Sequence, residues 1–223
     1  MGAVGEMTGL RPAGLDAVVA LGAHCDDLAI GAGGTLLTLC AGRPGLRVDA
    51  LVLSGGGTGR EDEERAALAA FCPGADLAVT VLKLPDGRLP AHWDEAKDAL
   101  EDLRARTAPG LILAPWRGDA HQDHRGLAEL VPTVWRGCLA LGYEIVKWDG
   151  DLGRPSVYQP LDPETAEAKV RLLQQHYPSQ RHRPWYDRET FLGLARVRGV
   201  ECGARYAEAF HTNKIVIDLA SGG

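Results

Sequence analysis

Two short stretches concentrate the groups able to do chemistry. One reads Ala23-His24-Cys25-Asp26-Asp27, the other Gly118-Asp119-Ala120-His121-Gln122-Asp123-His124-Arg125. An imidazole and a carboxylate from the first plus an imidazole from the second make three N/O ligands, the number a catalytic zinc keeps while leaving a fourth position for water. Spacing leaves the assignment open, because His24 pairs with either Asp26 or Asp27, and His121 and His124 can share one face of a turn. The groups left over also have uses. A spare carboxylate beside metal-bound water is a general base, and a spare protonated imidazole stabilises an oxyanion or protonates a leaving amine. Together the two stretches predict a hydrolytic metal site.

The surrounding sequence says how they are positioned. Residues 16–23 are an apolar run ending in glycine and polar residues, the pattern of a strand buried on both faces. Residues 31–41 read as a glycine-opened helix and 47–54 as the next strand, one βαβ unit. The pattern repeats with a helix over 61–71, a strand at 78–84, a helix over 93–106 and a strand at 110–115. A helix from about 125 to 141 and a strand near 143–148 follow. Such alternation predicts an α/β fold with a mostly parallel sheet. Beyond 149 it weakens, with Gly153, Pro155, Pro160 and Pro163 marking turns, so a C-terminal appended region is expected. With no repeat, low-complexity tract or linker, residues 1–223 are read as a single domain. In open parallel sheets the ligand sits beyond the carboxyl ends of the strands, where both stretches fall.

Composition narrows the partners. The chain has 223 residues, 45% hydrophobic and 24% charged, which excludes disordered, collagen-like and coiled-coil classes. Lys+Arg 24 against Asp+Glu 30 gives a net charge of -6, the wrong sign for general adhesion to nucleic acid or anionic membrane. No apolar run approaches the roughly 20 residues of a bilayer span, and residues 1–14 lack a signal-peptide pattern, so a cytoplasmic location is expected. The five cysteines are odd in number and free of any Cys-x-x-Cys pair, which argues against a disulfide framework or thiolate zinc knuckle.

The chain resembles the LmbE-like, or PIG-L, de-N-acetylases, whose marks are an Ala-His-Pro-Asp-Asp loop after strand one and a later His-x-Asp-His. Here these are Ala23 to Asp27 and His121 to His124. The resemblance continues through the helix start Gly31-Ala32-Gly33-Gly34-Thr35 and the late segment Tyr206-Ala207-Glu208-Ala209-Phe210. It implies a Rossmann-like three-layer fold and a zinc-dependent N-deacetylase, with another divalent metal such as Fe2+ as the alternative ion. His24, Asp27 and His124 would hold the metal, Asp26 would be the general base and His121 the electrophilic imidazole. Asp123 would orient His121, as carboxylates behind catalytic imidazoles do. Cys25 departs from the pattern by replacing the proline, and is expected to be an inert thiol turned away from the metal.

Arg60 is a candidate for substrate hydroxyls or phosphate at the mouth, and Trp148, Asp149, Gln180 and Arg196 for ligand recognition. His211 reads equally as structural or pocket-lining. The implied substrate is a small-molecule N-acetyl amino sugar, such as a sugar conjugate, natural product or polysaccharide precursor. Self-association is left open. Two other readings have specific features behind them. An amidase of the same fold would remove a larger acyl group. A nucleotide-binding or methyltransferase-like module would use the glycine clusters at 31–34 and 55–59, though neither spells Gly-x-Gly-x-x-Gly.

Overall fold

The computed structural model describes residues 9, 10, 12 and 14–217; the ends of the expected 1–223 domain lie outside the described residues. A seven-stranded sheet organises the chain. Its strands are β1 (Ala17–Gly22), β2 (Arg47–Ser54), β3 (Asp76–Leu84), β4 (Leu111–Pro115), β5 (Leu139–Tyr143), β6 (Val157–Leu161) and β7 (Tyr206–His211), in the order β3-β2-β1-β4-β5-β7-β6. β1 to β5 pair in parallel, and β7 runs antiparallel to both neighbours. The helices are α1 (Asp27–Gly42), α2 (Gly59–Phe71), α3 (Trp93–Arg106), α4 (Gln122–Val134), α5 (Pro163–His176) and α6 (Arg188–Glu201).

The two-residue alternation of the central strands builds three layers. Val18 and Ala20 of β1 join a core with α1, α2, α5 and α6, whereas Val19 and Leu21 join a second core with α3 and α4. This is the mostly parallel α/β sandwich expected. The order reverses around β1, with β2 on one side and β4 on the other. That leaves a crevice beyond their carboxyl ends, where the His24 and His121 loops meet.

Three expectations need correction. The fourth helix does not run to residue 141: it ends at Val134, Gly137 interrupts it, and Leu139–Tyr143 becomes β5 against β4. The apolar run after Gly137 matches a helix and a buried strand equally well, and sheet pairing decided. The strand expected near 143–148 is therefore only the end of β5 and the loop beyond it. Residues after 149 are not an appendage, because they supply β6, β7 and two helices of one core.

The glycines of α1 serve packing. A Cβ on Gly31 would lie 2.1 Å from the Tyr143 ring, on Gly33 2.7 Å from Phe71, and on Gly34 2.5 Å from Leu161. They sit inside a helix that already begins at Asp27, so they do not form a phosphate-cradling turn, and the nucleotide-binding reading loses its main feature. Glu208 accepts hydrogen bonds from the Gly34 and Thr35 amides, the Thr35 hydroxyl and Lys169 Nζ, while Lys169 also donates to the Ile30 carbonyl. This buried pair ties β7 to the middle of α1, which explains why Tyr206–Phe210 belongs to the motif set. No helix among the described residues is long and apolar enough to cross a membrane.

Candidate metal centre

The first loop is closed by its own carboxylate. Asp27 Oδ2 accepts the Ala23 and His24 amides at 2.9 and 2.8 Å, and Ser54 Oγ, at the end of β2, donates to the Ala23 carbonyl. From the second loop His121 caps α4, its Nδ1 accepting the Asp123 amide at 3.2 Å, so that His124 lies one turn into the helix.

These turns bring His24, Asp27 and His124 together. His24 Nδ1 lies 3.1 Å from His124 Nε2, which is 3.3 Å from Asp27 Oδ1; Asp27 Oδ2 is 3.6 Å from His24 Nδ1. An ion with tetrahedral bonds of 2.0–2.1 Å spaces its ligand atoms by about 3.3 Å. Two ring nitrogens and a carboxylate at these separations fit zinc's preferred donors. His121 brings a ring nitrogen within 4.8 Å of those of His24 and His124.

His124 and His24 each have a carboxylate near the second ring nitrogen. Asp119 Oδ1 lies 3.0 Å from His124 Nδ1, and Asp123 Oδ2 lies 3.1 Å from His24 Nε2, with Asp86 Oδ1 at 3.0 Å on the open side. The Asp123 carboxylate also accepts the Gly87 and Leu89 amides, so it joins His24 to the loop after β3. It therefore faces His24 rather than His121, which receives the Asp123 backbone amide instead. Asp119, 1% exposed, further accepts the His121 amide and Lys147 Nζ.

Charge follows this geometry. Burial opposes protonation of His24, but hydrogen bonds to Asp123, Asp27 and Asp86 outweigh it and raise its pKa well above 6.5. His124 is likewise penalised by burial and raised to about 9 by Asp27 and Asp119. Burial and the two neighbouring imidazoles lower His121. With Nδ1 accepting the Asp123 amide, the neutral form of His121 carries its proton on Nε2. Burial raises Asp26 to about 6 although Arg60 opposes it, which suits a base working near neutral pH.

Asp26 is held by α2. Arg60 Nη2 donates to Asp26 Oδ2 at 2.9 Å and to the Cys25 carbonyl, and Nη1 donates to Glu63 and Ser179. Arg60 lines the pocket, with its guanidinium committed to protein partners. Cys25, 2% exposed, directs its sulfur at the Ser54 carbonyl, and burial pushes its thiol up to about 12. It is a buried thiol beside Gly55.

The crevice encloses about 410 Å³ and is lined by Trp148, Asp149, Gln180, Arg183 and Trp185 together with His24, Asp27 and His124. Arg183 lies 6.0 Å over both indoles. Arg196 is not brought to the site: it projects from α6 and donates to the Arg205 carbonyl. His211 stacks on Trp116 at 4.2 Å and lines a separate cleft between α4 and β5.

Asp119 was within view in the second stretch, two residues before His121, but nothing local signals its contact with His124. Asp86, Lys147, Glu64 and Arg183 enter through the fold alone.

Comparison with known proteins agrees with this architecture. The chain is 27% identical over 172 residues to the uncharacterized deacetylase YaiS of Escherichia coli K12, covering 71% of this chain and 89% of that protein. It superposes on the N,N'-diacetylchitobiose deacetylase of Pyrococcus horikoshii with a TM-score of 0.70 at 21% identity, covering 89% and 84% of the two chains. It superposes with a TM-score of 0.74 at 17% identity on GalB, the 4-carboxy-2-hydroxymuconate hydratase of Pseudomonas putida KT2440, covering 92% and 100%. The two likenesses of structure establish the fold, which serves more than one reaction. Residues 19–135, over half the chain and spanning both loops, match the model of the family described as PIG-L: GlcNAc-PI de-N-acetylase. The chain belongs to the PIG-L family of de-N-acetylases.

Proposed function

We propose that this protein is a metal-dependent hydrolase that removes the N-acetyl group from a small amino-sugar-containing molecule. The observation that carries the reading is the convergence of His24 Nδ1, His124 Nε2 and Asp27 Oδ1 at metal-ligand spacing, with Asp26 next in sequence and lining the same crevice. His24, Asp27 and His124 would hold a zinc ion, with Fe2+ as the alternative. When bound, that ion polarises the acyl carbonyl and lowers the pKa of water.

The chain's own residues supply the rest. Asp26 takes the proton from the attacking water, and Arg60 keeps its carboxylate turned into the crevice. His121 donates its Nε2 proton toward the oxygen that gains charge. Protonated Asp26 is then placed to return its proton to the departing amine. The Trp148 and Trp185 indoles present apolar faces of the kind that stack on sugar rings, and Asp149 and Gln180 offer polar atoms for hydroxyls. Five free cysteines support a reducing, cytoplasmic setting.

The test is metal analysis of the purified protein together with acetate release from a panel of N-acetylglucosamine derivatives, before and after chelation. Near-stoichiometric metal and chelator-sensitive acetate release are expected. Release of bulkier acids but not acetate would transfer the reading to an amidase for larger acyl groups. Absence of metal after reconstitution with zinc or Fe2+ would overturn it.

A further inference from the structure

Asp26 stands alone among the described residues as a non-glycine residue with positive φ, at φ 103 and ψ -22. Left-handed backbone costs an L-residue roughly 1–2 kcal/mol, and persists only where the surroundings over-determine it. At the N-cap of α1 the Asp26 side chain makes no capping hydrogen bond to offset that cost. The compensation comes from α2. The Asp26 amide donates to Glu64 Oε2 at 2.8 Å, and the Tyr177 hydroxyl donates to the same oxygen at 2.7 Å.

Glu64 is an unusual residue to find there. It is 0% exposed, and its other oxygen, Oε1, has no hydrogen-bond partner. Neighbouring positions of α2 that face the core are Ala67, Leu68 and Phe71, so an apolar residue would pack at lower cost. A buried carboxyl using only one oxygen, and using it on a strained backbone amide, is placed for that contact. Arg60, one turn earlier on the same face, holds the carboxylate of the same residue. Thus α2 grips Asp26 at both ends, Glu64 on its backbone and Arg60 on its side chain.

We propose that Glu64, braced by Tyr177, is a positioning residue for the hydrolysis: it holds Asp26 in the left-handed conformation that presents the Asp26 carboxylate to the metal crevice. This rests on Asp26 being the general base, as proposed above. Glu64 touches neither substrate nor metal-binding groups; it acts through the peptide of its neighbour.

The variants are Glu64→Leu, which keeps size and loses the acceptor, Glu64→Gln, which keeps it, and Tyr177→Phe, which removes the brace. Two readouts are taken with the zinc-loaded full chain: hydrogen exchange of the Asp26 amide, and kcat and KM on the best substrate of the acetylated panel. For Glu64→Leu we expect at least 100-fold faster exchange at Asp26 and at least 30-fold lower kcat. KM and zinc content stay within 2-fold, and Glu64→Gln restores kcat to within 3-fold of wild type. Tyr177→Phe gives a smaller change in the same direction. A folded Glu64→Leu protein with wild-type exchange and kcat overturns the proposal, as does a kcat loss that Glu64→Gln does not restore. Should Glu64→Leu fail to fold, unchanged Asp26 exchange in Tyr177→Phe overturns it. If wild type releases no acid from any substrate, the functional reading fails, while the exchange measurement still decides whether Glu64 holds Asp26.

Discussion

Asp119 Oδ1 sits 3.0 Å behind Nδ1 of His124, whose Nε2 lies 3.3 Å from Asp27 Oδ1, so a carboxylate, an imidazole and a second carboxylate follow one another in a line of contacts. A carboxylate so placed fixes the tautomer and increases the basicity of the ligand. Asp119→Asn should weaken zinc affinity by about 10–100-fold, measured by competition with a chromophoric chelator, while leaving the fold intact.

Replacing a ligand itself should be more severe. His24→Ala, Asp27→Ala and His124→Ala should each lower bound zinc from near one per chain to a small fraction, read by elemental analysis after dialysis. Acetate release should fall in parallel. Retention of full zinc occupancy in Asp27→Ala would remove Asp27 from the ligand set.

Asp26→Asn should separate chemistry from metal binding. It keeps the shape of the side chain but cannot take a proton, and general-base catalysis contributes about 10²–10⁴-fold. The expected result is a kcat loss of that order with zinc content unchanged.

Glu64 predicts a pH dependence of stability. Burial raises its pKa from 4.5 to about 8, despite the opposing hydrogen bonds from Tyr177 and the Asp26 amide. Because the folded value lies above the unfolded one, its contribution is fully present below about pH 4.5 and is lost as the pH rises through 8. Within that window each unit removes up to about 1.4 kcal/mol. Glu64→Gln should flatten the fall in urea-unfolding stability between pH 5 and 8. An unchanged slope would show that Glu64 is ionised in the folded protein.

Gly31 packs against the face of Tyr143, where a Cβ would approach ring carbons to 2.1 Å. The ring cannot easily yield, since its hydroxyl donates to the Leu21 carbonyl at 2.6 Å. Gly31→Ala should therefore cost about 1–3 kcal/mol by overpacking, despite alanine's better helix propensity. Thermal unfolding would show it as a lowered Tm.

The parts of the site visible in the sequence are those whose partners are close along the chain or belong to a repeated local pattern. His24, Asp27, His121 and His124 stand in the loops, or in the first helical turn, that follow strands whose apolar runs are unmistakable, and β2 and α3 have the bounds expected. Asp123 was visible but its direction was not, because its carboxylate answers to the Gly87 and Leu89 amides, which only the folded loop after β3 brings near. Glu64 and Tyr177 are 113 residues apart and meet only after α2 and α5 have packed. Arg196 misled for the converse reason: α6 has several arginines, and the helix's rotation, set by Phe191 and Leu192 in the core, selects which one faces outward.

The insertion of β7 between β5 and β6 sets an order of events on the ribosome. β6 emerges first, yet its neighbour in the sheet is a strand that has still to be synthesised. The parallel segment β1 to β5 carries His24, Asp27 and His124 and is complete in the sequence before β6 has its partner. Without Tyr206–His211 the β5 edge would be unpaired, and an open strand edge is a hazard for strand-to-strand association. β7 also brings Glu208 to α1, so the last strand in sequence both joins β5 to β6 and secures the helix that starts at Asp27.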